Sequence, residues 1–469
     1  MRQFRLVPIV CVAFAMLGCV TPLETLDEIC RQDVYVVNTT DEGSVDPADA
    51  DELCSIGGTC TLRSAIITAN VCSTATPKTV SLQDAATYEL NHPDPLSGTH
   101  RARSRHYLAQ IGENILLPVI WGDVIIEGNG ASIARGPEFP RWGRMFAVVD
   151  RGRLELGNIT LSGANVNLRS GEAGTAQGAV VYNEGVTKLD HVTITSSGGG
   201  STSGTSQRSA SLVFNGACEA IPPTQDRPIC QGGGALEIRD STFSGDDLVV
   251  SEGMIVNRRP SWIDEVTVPG APTVSATISG ETVFSGFERV AVVNSANLEV
   301  NAATFRDLTE ADSTGMGACV LKNTGGATLD GINVAGCTRT AAIMNRGNLT
   351  LRNSELKENQ PELNGLIAHF GGSIVIQNSE IIENDNPSSA SGMLWCVGRG
   401  DFEIDNVTFR DNTVTIPSGA GAITIGEPCS GSMRGAVFQN NAPKNCNLWA
   451  GAISVDLGGN SSTDDSCGF

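Results

Sequence analysis

The sequence predicts an all-β solenoid, a parallel β-helix with a short helical cap at its N-terminal end. Three observations carry this: an apolar pair that recurs at a spacing of five, asparagines held in register with that pair, and a composition rich in Gly but poor in aromatics. The pair occurs at Leu156/Leu161, Leu189/Ile194, Ile238/Phe243, Ile278/Val283, Val300/Phe305, Leu329/Val334, Leu351/Leu356, Ile376/Ile381, Ile404/Phe409 and Met433/Phe438. Successive starts advance by roughly 22 to 30 residues, with longer steps of 33, 49 and 40 early on, which is the period of a solenoid. Residues on one face of a strand lie an even number apart, so an odd spacing requires a corner between two short strands. Asn158, Asn353, Asn378 and Asn406 stand two positions into the unit, where a residue tolerant of left-handed dihedrals belongs. Thr, Val, Ser, Asn and Gly dominate these units and disfavour helix.

The asparagine registers follow. Six positions before the first apolar residue stand Asn183, Asn294, Asn323 and Asn345, with Asp150 as an acidic counterpart; eight positions after it stand Asn359, Asn384, Asn412 and Asn441. Equal positions on stacked coils lie about 4.8 Å apart, so each set forms a ladder whose amides hydrogen-bond along the stack. The preference of parallel crossovers for one hand makes the coil right-handed. About twelve coils are expected.

Composition agrees. The 469 residues include 53 Gly, 40% hydrophobic and 5% aromatic residues, a mixture that suits a narrow interior filled by small aliphatic side chains. The net charge of −21 excludes nucleic acid as a partner, because a phosphate backbone is bound by a basic excess.

Taken in chain order, residues 1–18 read as a signal peptide, with Arg2 and Arg5 ahead of an apolar run from Leu6 to Leu17. Met16-Leu17-Gly18-Cys19 resembles a bacterial lipobox, which implies lipidation at Cys19, a membrane partner through that lipid, and an outer-membrane or cell-surface location. Of the 14 Cys, those beyond Cys19 suit disulfides in an exported chain; short loops make Cys218 with Cys230 and Cys319 with Cys337 natural pairs.

Residues 19–112 form the cap and a basic loop. Within them Leu62, Ala65, Ile66 and Ala69 share one helical face, with Thr59 or Thr61 as N-cap and Asn70 suited to the far end. Cys60, Leu62, Arg63, Ala65, Ile66, Ala69 and Asn70 match the CSLREA domain, which this stretch resembles; Thr61 and Ser64 replace its Ser and Glu. The resemblance implies a domain that precedes β-helical repeats in bacterial surface or secreted proteins. Its physical task is to cover the apolar cross-section and free strand edges of the first coil, and Arg63 is assigned a structural role there. Residues 113–445 are the repeats and 446–469 a C-terminal tail. Phe409-Arg410-Asp411-Asn412 and Phe438-Gln439-Asn440-Asn441 resemble the F-x-x-N repeat of polymorphic outer-membrane proteins, and Gly233-Gly234-Ala235-Leu236 resembles their G-G-A-[ILV] repeat. That family implies a surface-exposed right-handed β-helix, often adhesive. Nothing after Asn441 offers the alternating segments of its translocator barrel, so a lipid on Cys19 would take over the role of anchor.

Material for chemistry is sparse. The five histidines form no recognisable Ser/His/Asp or Cys/His arrangement. His100, Arg101, Arg103, Arg105 and His106 make a candidate anionic-ligand patch, followed by Arg135, Arg141, Arg144, Arg151 and Arg153. Asp46, Asp49 and Asp51 offer oxygen ligands for Ca2+ but lack the D-x-D-x-D-G pattern and read as a solvated charge run. Trp262-Ile263-Asp264-Glu265 resembles the W-I-D-H of pectate lyases with Glu265 in the His position. Asp246 and Asp247 lack the G-H-G companion of an inverting hydrolase. No catalytic residue, metal or cofactor is expected. Insertions at about 163–188, 196–233 and 244–275 are the expected excursions for recognition. The function expected is adhesion or binding of a glycan or host-surface ligand. The alternative is a polysaccharide lyase or glycoside hydrolase, which would need carboxylates converging with Arg or His in one groove.

Overall fold

The computed structural model describes residues 26–42, 53–54, 57–73, 76–93, 115–139, 143–149, 151–166, 178–197, 211–216, 234–244, 253–258, 274–288, 290–309, 317–362, 364–449 and 453–468. A typical coil contains three strands, as in Ala341–Asn345, Asn348–Arg352 and Glu355–Lys357. The second and third of these belong to columns that join in one 25-stranded sheet, while the first belongs to an 11-stranded sheet. Pairing along the columns is parallel and in register: Leu329, Leu351, Ile376, Ile404 and Met433 stack on one another, as do Val334, Leu356, Ile381, Phe409 and Phe438. These residues are at most 1% exposed and form the core. Phe243, Phe284 and Phe305 lie in the same inward column, with ring centroids 4.9 Å apart at each step. The fold is a right-handed parallel β-helix.

The corner is visible in the backbone. Two positions past the first apolar residue, Asn158, His191, Asp240, Ala302, Asn353, Asn378 and Asn406 all have φ between 46° and 58°, and Gly280, Gly331 and Gly435 fill the same position in other coils. Asn and Gly visit this region at least cost, which is why the sequence repeats them there. A second left-handed corner at Asp307, Gly336, Glu358, Glu383, Asp411 and Asn440 follows the short strand. One expected pair needs correction: Phe284, not Val283, is the inward partner of Ile278. Gly280-Glu281-Thr282 gives that corner one extra residue, so the spacing there is six.

Each expected insertion also holds a regular strand of the 11-stranded sheet: Val181–Asn183, Ser211–Gly216 and Gly253–Arg258. These strands are buried on both faces. They lack the alternation that marks a strand in sequence, and so escaped the pattern.

Helix α1 (Leu26–Cys30) packs on helix α2 (Leu62–Cys72), and α2 packs on the strands Lys78–Ser81 and Asp123–Glu127. Thr61 is the N-cap, in a capping box with Ser64. The one-sided burial expected of α2 is corrected: Leu62 through Asn70 and Cys72 are all buried, because coils cover one side and α1 with its neighbouring segments the other. Disulfides Cys30–Cys72 and Cys54–Cys60 tie this end together. The sheet begins before the expected repeat boundary, since Val34–Val36 already pairs with Lys78–Ser81. It also continues into the segment expected as a tail: Ile453–Asp456 pairs with Ser430–Arg434, and Ser461–Ser462 with Val437–Gln439. The polar, Gly-rich sequence there conceals a final coil that is held by backbone pairing and by Cys446–Cys467. Cys319–Cys337 and Cys396–Cys429 complete the described disulfides. Among the described residues no helix is long and apolar enough to cross a membrane.

Candidate functional site

Two buried polar spines fix the coils on which any site must stand. In the first, Nδ2 of each Asn donates to Oδ1 of the next: Asn183 to Asn215 at 2.7 Å, Asn215 to Asn257 at 2.9 Å, and Asn257 to Asn294, Asn294 to Asn323 and Asn323 to Asn345 at 2.8 Å each. The chain ends on His369, whose Nδ1 lies 3.1 Å from Asn345 Nδ2. The second runs from Asn359 through Asn384 and Asn412 to Asn441 at 2.8 to 3.0 Å, and then to Asn445 at 2.8 Å. Every Asn of the second spine up to Asn441 also donates to a backbone carbonyl, those of Val334, Leu356, Ile381 and Phe409 in turn. Asn215, Asn257 and His369 were absent from the sequence registers. Long connections displace the first two from the fixed offset, while the third differs in residue type and stands seven rather than six positions before Ile376. Asp150 lies outside the described residues, and the register partner of Asn183 on that side is Val148.

The cap residues converge at the first coils. Arg63 is 3% exposed, lies 3.1 Å from Glu42, and donates to the carbonyl of His92. Glu42 also accepts from the backbone amides of Asn91 and His92. Asn70 does not serve as the helix terminus, where Ser73 is the C-cap. Instead its Nδ2 donates to the Val119 carbonyl, and its Oδ1 accepts from the amides of Trp121 and Gly122. Cys60 is paired with Cys54, and Leu62, Ala65 and Ile66 lie in the core.

Outward side chains of the 25-stranded sheet form a groove with a volume of about 410 Å3. Alternation puts Leu298, Ala327 and Leu349 inward, so their neighbours must face outward. One outward row is Ser275, Asn297, Gly326, Asn348 and Ser373; the parallel row is Thr277, Glu299, Thr328, Thr350 and Val375. Hydroxyls and amides dominate both rows. Glu299 is the single charge among the described lining residues, and its Oε1 accepts from Asn301 at 3.1 Å.

Charges cluster nearer the N-terminal end. Arg153 lies 3.7 Å from Asp123 and 3.9 Å from Glu155, and Lys188 lies 3.0 Å from Glu155. Burial raises the Asp123 pKa, which Arg153 opposes. One coil further on, ligand atoms of Asp190, His191 and Asp240 lie within 4.8 Å of one another, a grouping that sequence order did not reveal. Arg239 pairs with Asp240 at 2.9 Å, and the Glu281 amide donates to Asp240 at 2.8 Å; these hydrogen bonds hold its carboxyl below the usual range. The basic stretch expected after residue 106 does not converge. Arg144 is 1% exposed, with its guanidinium 5.0 Å from the Tyr182 ring centre, and burial lowers its pKa to about 10. Arg153 is already engaged by carboxylates. Cys19, the patch His100, Arg101, Arg103, Arg105 and His106, and Arg141 lie outside the described residues, as do Asp46, Asp49, Asp51, Cys218, Cys230, Asp246, Asp247 and Trp262 to Glu265.

A family model for the right-handed β-helix region matches residues 229–414. Among solved structures, PfbA, a surface adhesin of Streptococcus pneumoniae, is 10% identical over 80% of this chain and 79% of that one, with a TM-score of 0.39. The A-module of the Azotobacter vinelandii mannuronan C-5 epimerase AlgE6 is 13% identical over 92% and 99%, with a TM-score of 0.31. The periplasmic alginate epimerase AlgG is 12% identical over 72% and 78%, with a TM-score of 0.26. A search of curated proteins found no match. The family match falls on coils that the strand registers independently define, and the chain is a right-handed parallel β-helix by architecture.

Proposed function

We propose that this chain is an exported, lipid-anchored β-helix of the bacterial surface that binds a carbohydrate ligand on its large sheet. The observation that carries the reading is the groove dominated by hydroxyls and amides, with Glu299 as a charge in its wall, open along five consecutive coils. Such groups both donate and accept, and their spacing suits a polyhydroxylated chain better than an apolar or strongly charged one. Five disulfides support an oxidising compartment, and the lipobox-like ending at Cys19 supplies the anchor. The expected result is retention of the purified protein by glycans on an array, with no change in glycan length. Mass spectrometry of the mature N-terminus should find a diacylglycerol-modified Cys19. Glycan depolymerisation would replace this reading with the enzymatic one.

One observation favours that second reading: Asp190, His191, Asp240 and Arg239 gather on adjacent coils. The variant Asp240→Asn decides between them, because a hydrolase or lyase built there would lose turnover, whereas a binding protein would keep its glycan affinity.

A further inference from the structure

Gly326 has no structural reason to be glycine. It lies in the extended strand Gly326–Asp330, and an added Cβ would meet only Asn297 Oδ1, at an ordinary 3.5 Å. Its neighbour Gly325 is different, since a Cβ there would come within 2.3 Å of the Ala296 carbonyl. The comparable strand glycine Gly431 would put one 2.0 Å from the Phe402 carbonyl. Glycine in a strand weakens it and is kept at a bulge, at a tight bend or where another molecule approaches closely; the register runs unbroken through Gly326 on both sides, which leaves the last.

What Gly326 creates is a notch. Asn297 and Asn348 are its register neighbours on either side, exposed and two coil steps apart, about 10 Å. Thr328 lies beside the floor on the same outward face, between Glu299 and Thr350 in the neighbouring coils. The Asn348 Oδ1 accepts from Ser373 at 3.0 Å, which turns its amide group toward use as a donor. The Asn297 amide makes no hydrogen bond to another described side chain. A floor without a side chain, two amide walls and a hydroxyl together match the flat ring and vicinal hydroxyls of a sugar. Charge narrows the class further: Glu299 is the only charged group among the described residues that line the groove and the chain carries −21, so an acidic sugar would be repelled.

The geometry points to the Gly326 notch as a subsite for one pyranose ring of a neutral polysaccharide, with Asn297, Asn348 and Thr328 as its hydrogen-bonding groups. This rests on the carbohydrate-binding reading above and adds to it both a place and a class.

The test is affinity electrophoresis of the full chain through gels containing laminarin, xyloglucan or soluble starch, and through gels containing polygalacturonate or alginate. The central variant is Gly326→Thr, which adds a β-branched residue to a strand that has room for it. At least one neutral glycan should retard the wild type, with affinity lowered at least ten-fold in Gly326→Thr while its melting temperature holds or rises. Asn297→Ala and Asn348→Ala should each weaken retardation several-fold. Retardation by acidic glycans only would overturn the proposed class. Undiminished retardation of Gly326→Thr would overturn the notch while leaving carbohydrate binding intact. Failure of every glycan to retard the wild type would overturn both.

Discussion

The two asparagine spines use the same hydrogen bond and end differently. The first crosses seven coils and terminates on an imidazole, His369, beyond which its column turns apolar through Cys396 and Ile425. The second is shorter and terminates on Asn445, whose Nδ2 donates to Ser462 at 2.8 Å and lies 3.2 Å from Thr463. A one-directional row of amides leaves its last N–H donor in need of an acceptor. The first spine meets this need inside the core with a group that can titrate, and the second at the end of the solenoid with hydroxyls near water. Interior rungs should therefore behave alike and the ends should not.

The largest effect is expected at the interior rungs. Asn323→Ala removes the acceptor for Asn294 and the donor for Asn345, and Asn384→Ala does the same for Asn359 and Asn412. The neighbouring side-chain amides keep bonds to backbone groups, but Asn323→Ala also takes the acceptor from the Gly325 amide and Asn384→Ala takes it from the Asn359 amide, so we expect each variant to lose about 3 kcal/mol in chemical denaturation. A much smaller loss in only one of them would mean that water replaces the missing amide there, and would end the equivalence of the two interiors.

Legibility in the sequence followed the same division. Asn294, Asn323 and Asn345 could be read because a fixed offset to Val300, Leu329 and Leu351 survives wherever corners and loops keep constant length. Asn215 and Asn257 make the same bonds, but the long connections after them remove the offset. His369 gave no signal, since it is not an Asn and stands seven rather than six positions before Ile376, and its place in the stack makes it an acceptor. The positive-φ corners were legible because backbone strain selects Asn and Gly locally. The groove was not. Its floor is a single glycine in a chain with 53 of them, and whether a Cβ would fit there is a fact about neighbouring coils. For the same reason Asp190 and Asp240, 50 positions apart, could be recognised as neighbours only once the coils were stacked.

The next effect separates the two termini by pH. Burial lowers the His369 pKa from 6.5 to about 4, against the opposing influence of the Asp401 carbonyl and carboxylate. The unfolded chain then takes up a proton near pH 6.5 that the folded chain refuses until about pH 4. Stability is accordingly lost as pH falls through that window and levels off below it, by about 2 kcal/mol between pH 7 and pH 5. His369→Asn should remove this contribution, and the difference between variant and wild-type melting curves across pH measures it. Parallel curves would show that the imidazole is already free to protonate in the fold.

The smallest effect belongs to the outer terminus of the second spine. Asn445→Ala deprives Asn441 of its acceptor, but this rung lies one coil from the end, where Ser462, Thr463 and solvent are close. The cost should be about 1 kcal/mol and should appear as faster amide exchange confined to the final coil, because solenoid coils interact mainly with their neighbours and an end can open alone. The Cys446–Cys467 disulfide limits how far that opening can spread along residues 446–467. Exchange that instead accelerated at Asn359 and Asn384 would show the spine acting as one cooperative unit, with its outer end as tightly coupled as its interior.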